Sequence, residues 1–123
     1  MLKILSPTVH GVIDYLAAIA LIVAPFFVLP ADAPAIAIWF SVAAGSALIL
    51  YGLITDYSVS ARRAIPFTLH LAIDFIAGVA FIAAPFVLGF TGVTELYYFV
   101  MGGAVVLVVL VTNSNVNSTR VPD

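Results

Sequence analysis

Four long apolar segments, separated by short polar connections, set the strongest limit on how this chain can fold. They cover Pro7–Leu29, Pro34–Ile54, Pro66–Phe90 and Thr94–Thr112. Each segment is close to the roughly 20 residues that an α-helix needs to cross a bilayer. A transmembrane barrel would instead require shorter segments of alternating polarity. The pattern therefore predicts an all-α integral membrane protein.

The composition supports this class and excludes others. Of 123 residues, 64% are hydrophobic and 8% are charged, whereas about a quarter of the residues in soluble domains are charged. The absence of cysteine excludes disulfides, thiolate metal sites and covalent haem attachment through cysteine. A net charge of −2 provides no basic patch, so we expect the lipid bilayer and not nucleic acid as a partner. Lys3 alone makes a poor signal-peptide start, so we expect the first apolar segment to be retained.

Prolines mark the predicted helix ends. Ser6 followed by Pro7 is typical of an N-cap and a first helical residue, and Pro34 and Pro66 open the next two helices in the same way. Near the far ends of the first and third helices, Pro25 and its counterpart Pro85 each remove a backbone donor and should kink or end the helix. The short connections that follow predict antiparallel neighbours.

The charged residues predict the orientation. The positive-inside rule places the side that carries the basic residues, with both termini and the middle loop, in the cytoplasm. The basic residues of that side are Lys3, Arg62, Arg63 and Arg120, and the acidic residues of the other side are Asp32 and Glu95.

The first half of the chain resembles the second. HGVIDYLAAIALIVAPFFV (10–28) aligns without a gap to HLAIDFIAGVAFIAAPFVL (70–88), and the second helices match at a smaller offset that pairs Gly45 with Gly102. A hairpin has an even number of spans, so both copies insert the same way. We therefore predict one integral membrane domain, residues 1–123, folded as a transmembrane four-helix bundle of two parallel-oriented helical-hairpin repeats, residues 6–62 and 65–120.

The Pro-aromatic segments Ala84–Phe90 and Ala24–Phe26 resemble the Ser-Pro-Trp or Ser-Pro-Phe motif of the SPW-repeat family. These are small bacterial membrane proteins built from two helical hairpins. This sequence departs from the motif by having Ala before the Pro and Phe after it. The resemblance implies the architecture and a bacterial inner-membrane location, and it implies no established activity.

A duplicated polar pair is the main candidate for function. His10 and Asp14 recur as His70 and Asp74, and they include both histidines of the chain. Residues i and i+4 share a helix face, and parallel repeats place both pairs at one depth near the cytoplasmic face. Ionisable residues within a membrane are a functional hypothesis by default. We predict one polar centre formed by these four residues, and we expect four further polar residues nearby: Thr55, Asp56, Thr112 and Asn113.

Four roles for the pairs remain open. They can be interhelical hydrogen bonds worth roughly 0.6–2 kcal/mol, or a proton or ion relay, although the apolar outer halves of the first and third helices argue against a complete channel. Alternatively, His10 and His70 ligate haem b, with the aspartates bound to the imidazole N–H groups. Small residues would then leave the gap for the haem: Ala17, Ala18, Ala77 and Gly78. Finally, His10, His70, Asp14 and Asp74 form an N2O2 set suited to zinc, manganese or iron.

The sequence thus predicts a non-enzymatic membrane protein with haem b or a divalent metal as the leading ligand. The alternative is a structural or accessory subunit, and a homo-oligomer or larger membrane complex remains open. We interpret the other aromatic residues as interfacial. Those assigned to the outer interface are Phe26, Phe27, Phe86, Phe90, Trp39, Tyr97 and Tyr98, and those assigned to the inner interface are Tyr51 and Tyr57.

Overall fold

A computed structural model describes residues 3–114 of the chain, which are helical with short connections. Three helices are long and apolar enough to cross a membrane. The helix that precedes these three in the chain is also apolar but shorter, with 17 residues. The last residues of the predicted second repeat, 115–120, lie outside the described residues, and so does Arg120. The helices are α1 (Pro7–Val23), α2 (Pro25–Val28), α3 (Ala35–Leu53), α4 (Phe67–Leu88) and α5 (Gly92–Leu110).

The helices begin close to the predicted residues. The Ser6 hydroxyl accepts a hydrogen bond from the backbone N–H of Val9 at 3.2 Å, and Pro7 is the first residue of α1, which confirms the predicted cap. Pro34 and Pro66 instead occupy the N-cap positions themselves, so α3 and α4 each begin one residue later than predicted. Their fixed φ suits either position.

The two prolines near the far helix ends have different effects. Pro25 begins the separate short helix α2, so the first predicted helix is divided at Ala24. Pro85 lies inside α4, which continues to Leu88 and ends at Gly89 with a φ of 73°. A left-handed residue after a helix is a common terminator, and glycine adopts it without strain.

Close helix packing is concentrated within two pairs, α1 with α3 and α4 with α5. A Cβ atom at Gly45 would lie 2.6 Å from the carbonyl oxygen of Ala18, and one at Gly102 would lie 2.7 Å from that of Gly78. Glycine at both contacts lets the backbones approach closely. Ala18 and Gly78 therefore lie at helix contacts, and they do not border a gap between the histidines.

Two short backbone bridges connect the helix starts to distant helix ends. Leu5, before α1, pairs with Thr112 after α5, and Ile65, before α4, pairs with Thr55 after α3. The first bridge includes a hydrogen bond of 2.7 Å from the N–H of Asn113 to the carbonyl of Leu5. Both bridges bring a threonine beside the first turn of a histidine-bearing helix.

Three of the aromatic residues assigned to the outer interface lie in the core instead. Phe90, Tyr97 and Tyr98 are buried, with 2%, 7% and 0% of their surface exposed. The Tyr98 hydroxyl donates to the carbonyl of Ala37 at 2.6 Å, and the Tyr97 hydroxyl bonds the Ser41 hydroxyl at 2.6 Å. The interfacial assignment is wrong for these residues because Phe90 is buried in the core and the hydroxyls of Tyr97 and Tyr98 have partners inside the protein.

Candidate functional site

The two His/Asp pairs form a single buried cluster, as predicted. Each of His10, Asp14, His70 and Asp74 contributes one ligand atom, and these atoms all lie within 4.8 Å of one another. Both histidines are fully buried, and the two aspartates are nearly so. We call these four residues the His/Asp centre.

Each imidazole contacts both carboxylates through Nε2. His10 Nε2 lies 2.9 Å from Asp74 Oδ2 and 3.1 Å from Asp14 Oδ2. His70 Nε2 lies 2.6 Å from Asp14 Oδ2 and 3.3 Å from Asp74 Oδ2. The shorter contact of each histidine is therefore to the aspartate of the other helix, so the centre joins α1 to α4.

Two threonines hold the other nitrogen of each ring. His10 Nδ1 lies 2.8 Å from Thr112 Oγ1, and His70 Nδ1 lies 2.8 Å from Thr55 Oγ1. Each threonine hydroxyl donates its hydrogen to the carbonyl of the residue four positions earlier, at 2.5 Å. Since that hydrogen is used, the threonine oxygen accepts from Nδ1–H. Both imidazoles therefore carry hydrogen on Nδ1 and direct Nε2 at the carboxylates.

Tyr51 is a member of the site that the sequence interpretation missed. Its hydroxyl donates a hydrogen bond to Asp74 Oδ1, the oxygen that faces away from the imidazoles. The sequence interpretation assigned Tyr51 to the membrane interface. No sequence signal identified it, because aromatic residues near helix ends suit both lipid and protein surroundings.

Two aromatic rings cover the imidazoles beside the middle loop. The Phe67 ring centroid lies 5.6 Å from that of His10 and 5.8 Å from that of His70, and the Tyr57 centroid lies 5.3 Å from that of His70. Phe67 and Tyr57 are both buried, so the interfacial assignment of Tyr57 is wrong. Burial also raises the pKa of the Tyr57 hydroxyl, which therefore stays protonated.

Two cavities adjoin the centre. One, of about 30 Å³, lies between the α1/α3 and α4/α5 pairs, and Asp14, Asp74 and Tyr51 all line it. The other, of about 60 Å³, lies between α1 and α5. Asp14 lines it, and the rest of its wall is apolar: Ile13, Ala17, Met101, Ala104, Val105 and Val108.

Comparison with known proteins identifies the family. The model of the SPW repeat domain matches residues 8–113, which is most of the chain. The chain belongs to the SPW repeat family. No curated protein and no solved structure matches it. The family predicted from its two Pro-aromatic segments is therefore confirmed.

Two of the polar residues expected near the centre of this SPW repeat protein also have contacts with other parts of the chain. Asp56 Oδ1 is 3.9 Å from Arg63 Nε, whose side chain is 46% exposed, and such exposed pairs contribute little stability. Asn113 contributes its backbone N–H to the bridge with Leu5. Of the four expected neighbours, the structure brings Thr55 and Thr112 into contact with the histidines.

Proposed function

We propose that the His/Asp centre binds one divalent transition-metal ion in a multi-pass membrane protein. The observation that supports this most strongly is the convergence of two Nε2 atoms and two carboxylate oxygens within 4.8 Å, with each ring held at Nδ1. Histidine ligands of metals usually donate their other N–H to an oxygen, as His10 and His70 do here. Two nitrogen and two oxygen donors suit zinc, manganese or iron.

The charges of the centre favour a divalent ion. An Nε2 lone pair and a carboxylate oxygen repel each other, so at 2.6–3.3 Å each Nε2 requires a proton or a metal ion. Two imidazolium groups and two carboxylates are neutral as a set. A divalent ion that replaces one proton on each Nε2 leaves the set neutral, which matters because unbalanced charge within a membrane is costly.

Haem b does not fit between the histidines. A haem ligated by His10 and His70 would need its ring plane between the two imidazoles. The carboxylates of Asp14 and Asp74 occupy that place, within 3.3 Å of both Nε2 atoms. Of the small residues expected to leave a gap, Ala18 and Gly78 lie at close helix contacts, so we assign no role to haem.

We further propose that the protein lies in the bacterial inner membrane as two hairpin repeats, with the centre near the cytoplasmic face. The equivalent bridges at Leu5 and Ile65 support the repeat, and Lys3 with the basic middle loop supports the orientation. The chain lacks cysteine, so Ala61→Cys and Ala31→Cys can be labelled singly. We expect an impermeant thiol reagent added outside spheroplasts to label only Ala31→Cys, and the reverse pattern would invert the topology.

Metal binding is tested with purified protein and Co²⁺, whose complexes absorb visible light. We expect one Co²⁺ per chain and the release of one proton from each Nε2, measured with a pH indicator in weakly buffered detergent solution. Because proton and metal compete for Nε2, the apparent affinity should fall as the pH falls. Asp74→Asn should abolish binding, and Asp56→Asn, which changes a carboxylate outside the centre, should leave it intact.

The second candidate function is a purely structural lock between the two halves of the chain. The Nε2–Oδ2 distances of 2.6 and 2.9 Å favour it, because they are hydrogen-bond distances. This candidate replaces the first if neither Co²⁺, Zn²⁺, Mn²⁺ nor Fe²⁺ binds stoichiometrically while Asp74→Asn still destabilises the protein.

A further inference from the structure

The two carboxylates of the centre are held differently. Asp74 uses both oxygens, since Oδ2 contacts the imidazoles and Oδ1 accepts from Tyr51. Within residues 3–114, Asp14 makes its hydrogen bonds and ion pairs through Oδ2. The alignment of the two halves that pairs Gly45 with Gly102 also pairs Tyr51 with Val108. Valine has no donor, so the position equivalent to Tyr51 supplies no hydroxyl for Asp14.

The spaces beside the two carboxylates also differ. The α1–α5 cavity of about 60 Å³ reaches Asp14 and is bordered by Val108. A water molecule needs roughly 10–15 Å³ of such space, so this cavity holds a small molecule of more than one heavy atom. The cavity between the two helix pairs is about half as large, and Asp14, Asp74 and Tyr51 all line it.

We propose that Asp14 is the exchangeable side of the centre, where water or a small anion enters through the α1–α5 cavity and reaches the bound ion. Tyr51 positions Asp74 and borders the smaller cavity on the opposite side. The inference rests on the proposed metal binding and extends it, because access for an exogenous donor separates reactive metal sites from closed structural ones. The cavity volume of about 60 Å³ restricts the donor to a small molecule or ion.

Azide is the probe, and the visible spectrum of the Co²⁺-loaded protein is the readout. We expect azide to change the spectrum of the unmodified protein. Val108→Tyr fills the α1–α5 cavity and should weaken azide binding by about tenfold or more, with the Co²⁺ stoichiometry unchanged. Leu107→Tyr adds the same ring at a position that is 60% exposed and should leave azide affinity unchanged.

An exchange of the two side chains tests which side is open. In the double variant Tyr51→Val plus Val108→Tyr, the larger space moves beside Asp74, so azide binding should return towards that of the unmodified protein. If Val108→Tyr does not yield folded protein, Ala104→Leu at an exposed position of the same wall provides a smaller obstruction with the same expected direction.

The outcomes separate this inference from the proposed function. If none of Co²⁺, Zn²⁺, Mn²⁺ and Fe²⁺ binds, both are overturned. If Co²⁺ binds but azide leaves the spectrum unchanged, or binds equally well to the unmodified, Val108→Tyr and Ala104→Leu proteins, only the inference about Asp14 is overturned.

Discussion

The two halves of this chain share the residues that build the centre and differ in the residues around it. Each half has a histidine and an aspartate on its first long helix, a threonine after its second long helix and a glycine at the helix contact. They differ where Tyr51 is matched by Val108, and where Pro25 divides a helix that Pro85 leaves continuous. The shared residues therefore fix the geometry of the centre, and the differing residues make its two sides unequal.

Removing one histidine should reduce the stability of the protein more than any other change, and the loss should be the same for either half. His10→Ala or His70→Ala leaves a buried charged group without its partner, which costs about 3–5 kcal/mol. Unfolding by SDS in mixed micelles, followed by circular dichroism, measures the loss. Similar losses for the two variants would support a centre shared equally by both halves, and a negligible loss for either would contradict it.

Replacing the glycine at each helix contact by a larger residue should reduce the stability of the protein by an intermediate amount. Gly45→Ala and Gly102→Ala place a Cβ atom within 2.7 Å of a neighbouring carbonyl oxygen, and such overpacking costs about 1–3 kcal/mol. Gly103→Ala is the matched control, because no atom from another helix lies within 4 Å of its Cβ position. We expect the control to gain up to about 1 kcal/mol from helix propensity. A control that loses as much stability as the other two would refute the close-packing argument.

Removing the Tyr51 hydroxyl should have the smallest effect on stability and a specific effect on the centre. Tyr51→Phe removes a hydrogen bond, and such bonds within membrane proteins are worth about 0.6–1.7 kcal/mol. Tyr98→Phe removes a hydrogen bond to the carbonyl of Ala37, far from the imidazoles, and serves as the control. We expect the visible spectrum of the Co²⁺ form to change in Tyr51→Phe alone. Identical spectra for both variants would show that Tyr51 does not position Asp74.

Periodicity and the internal repeat predicted most of the helical segments and the convergence of the two His/Asp pairs. Both depend on regular helix geometry, which fixes the direction of side chains such as His10 and Asp14. Asp56 lies beyond Leu53, where α3 has ended, so helical spacing no longer determines where its carboxylate points. Whether Tyr51 or Tyr98 faces lipid or protein depends on how the hairpins pack, and aromatic residues near helix ends suit both environments.

The hydrogen bond between His10 and Thr112 also has a consequence for the synthesis of the protein. His10 bonds Thr112, from the opposite end of the chain, so a ribosome delivers the histidine to the membrane long before its partner exists. During that interval Asp14, 3.1 Å away on the same helix, supplies a partner of opposite charge. The hydrogen bond between His10 and Thr112 is therefore completed last, and a chain that terminates before Thr112 lacks it.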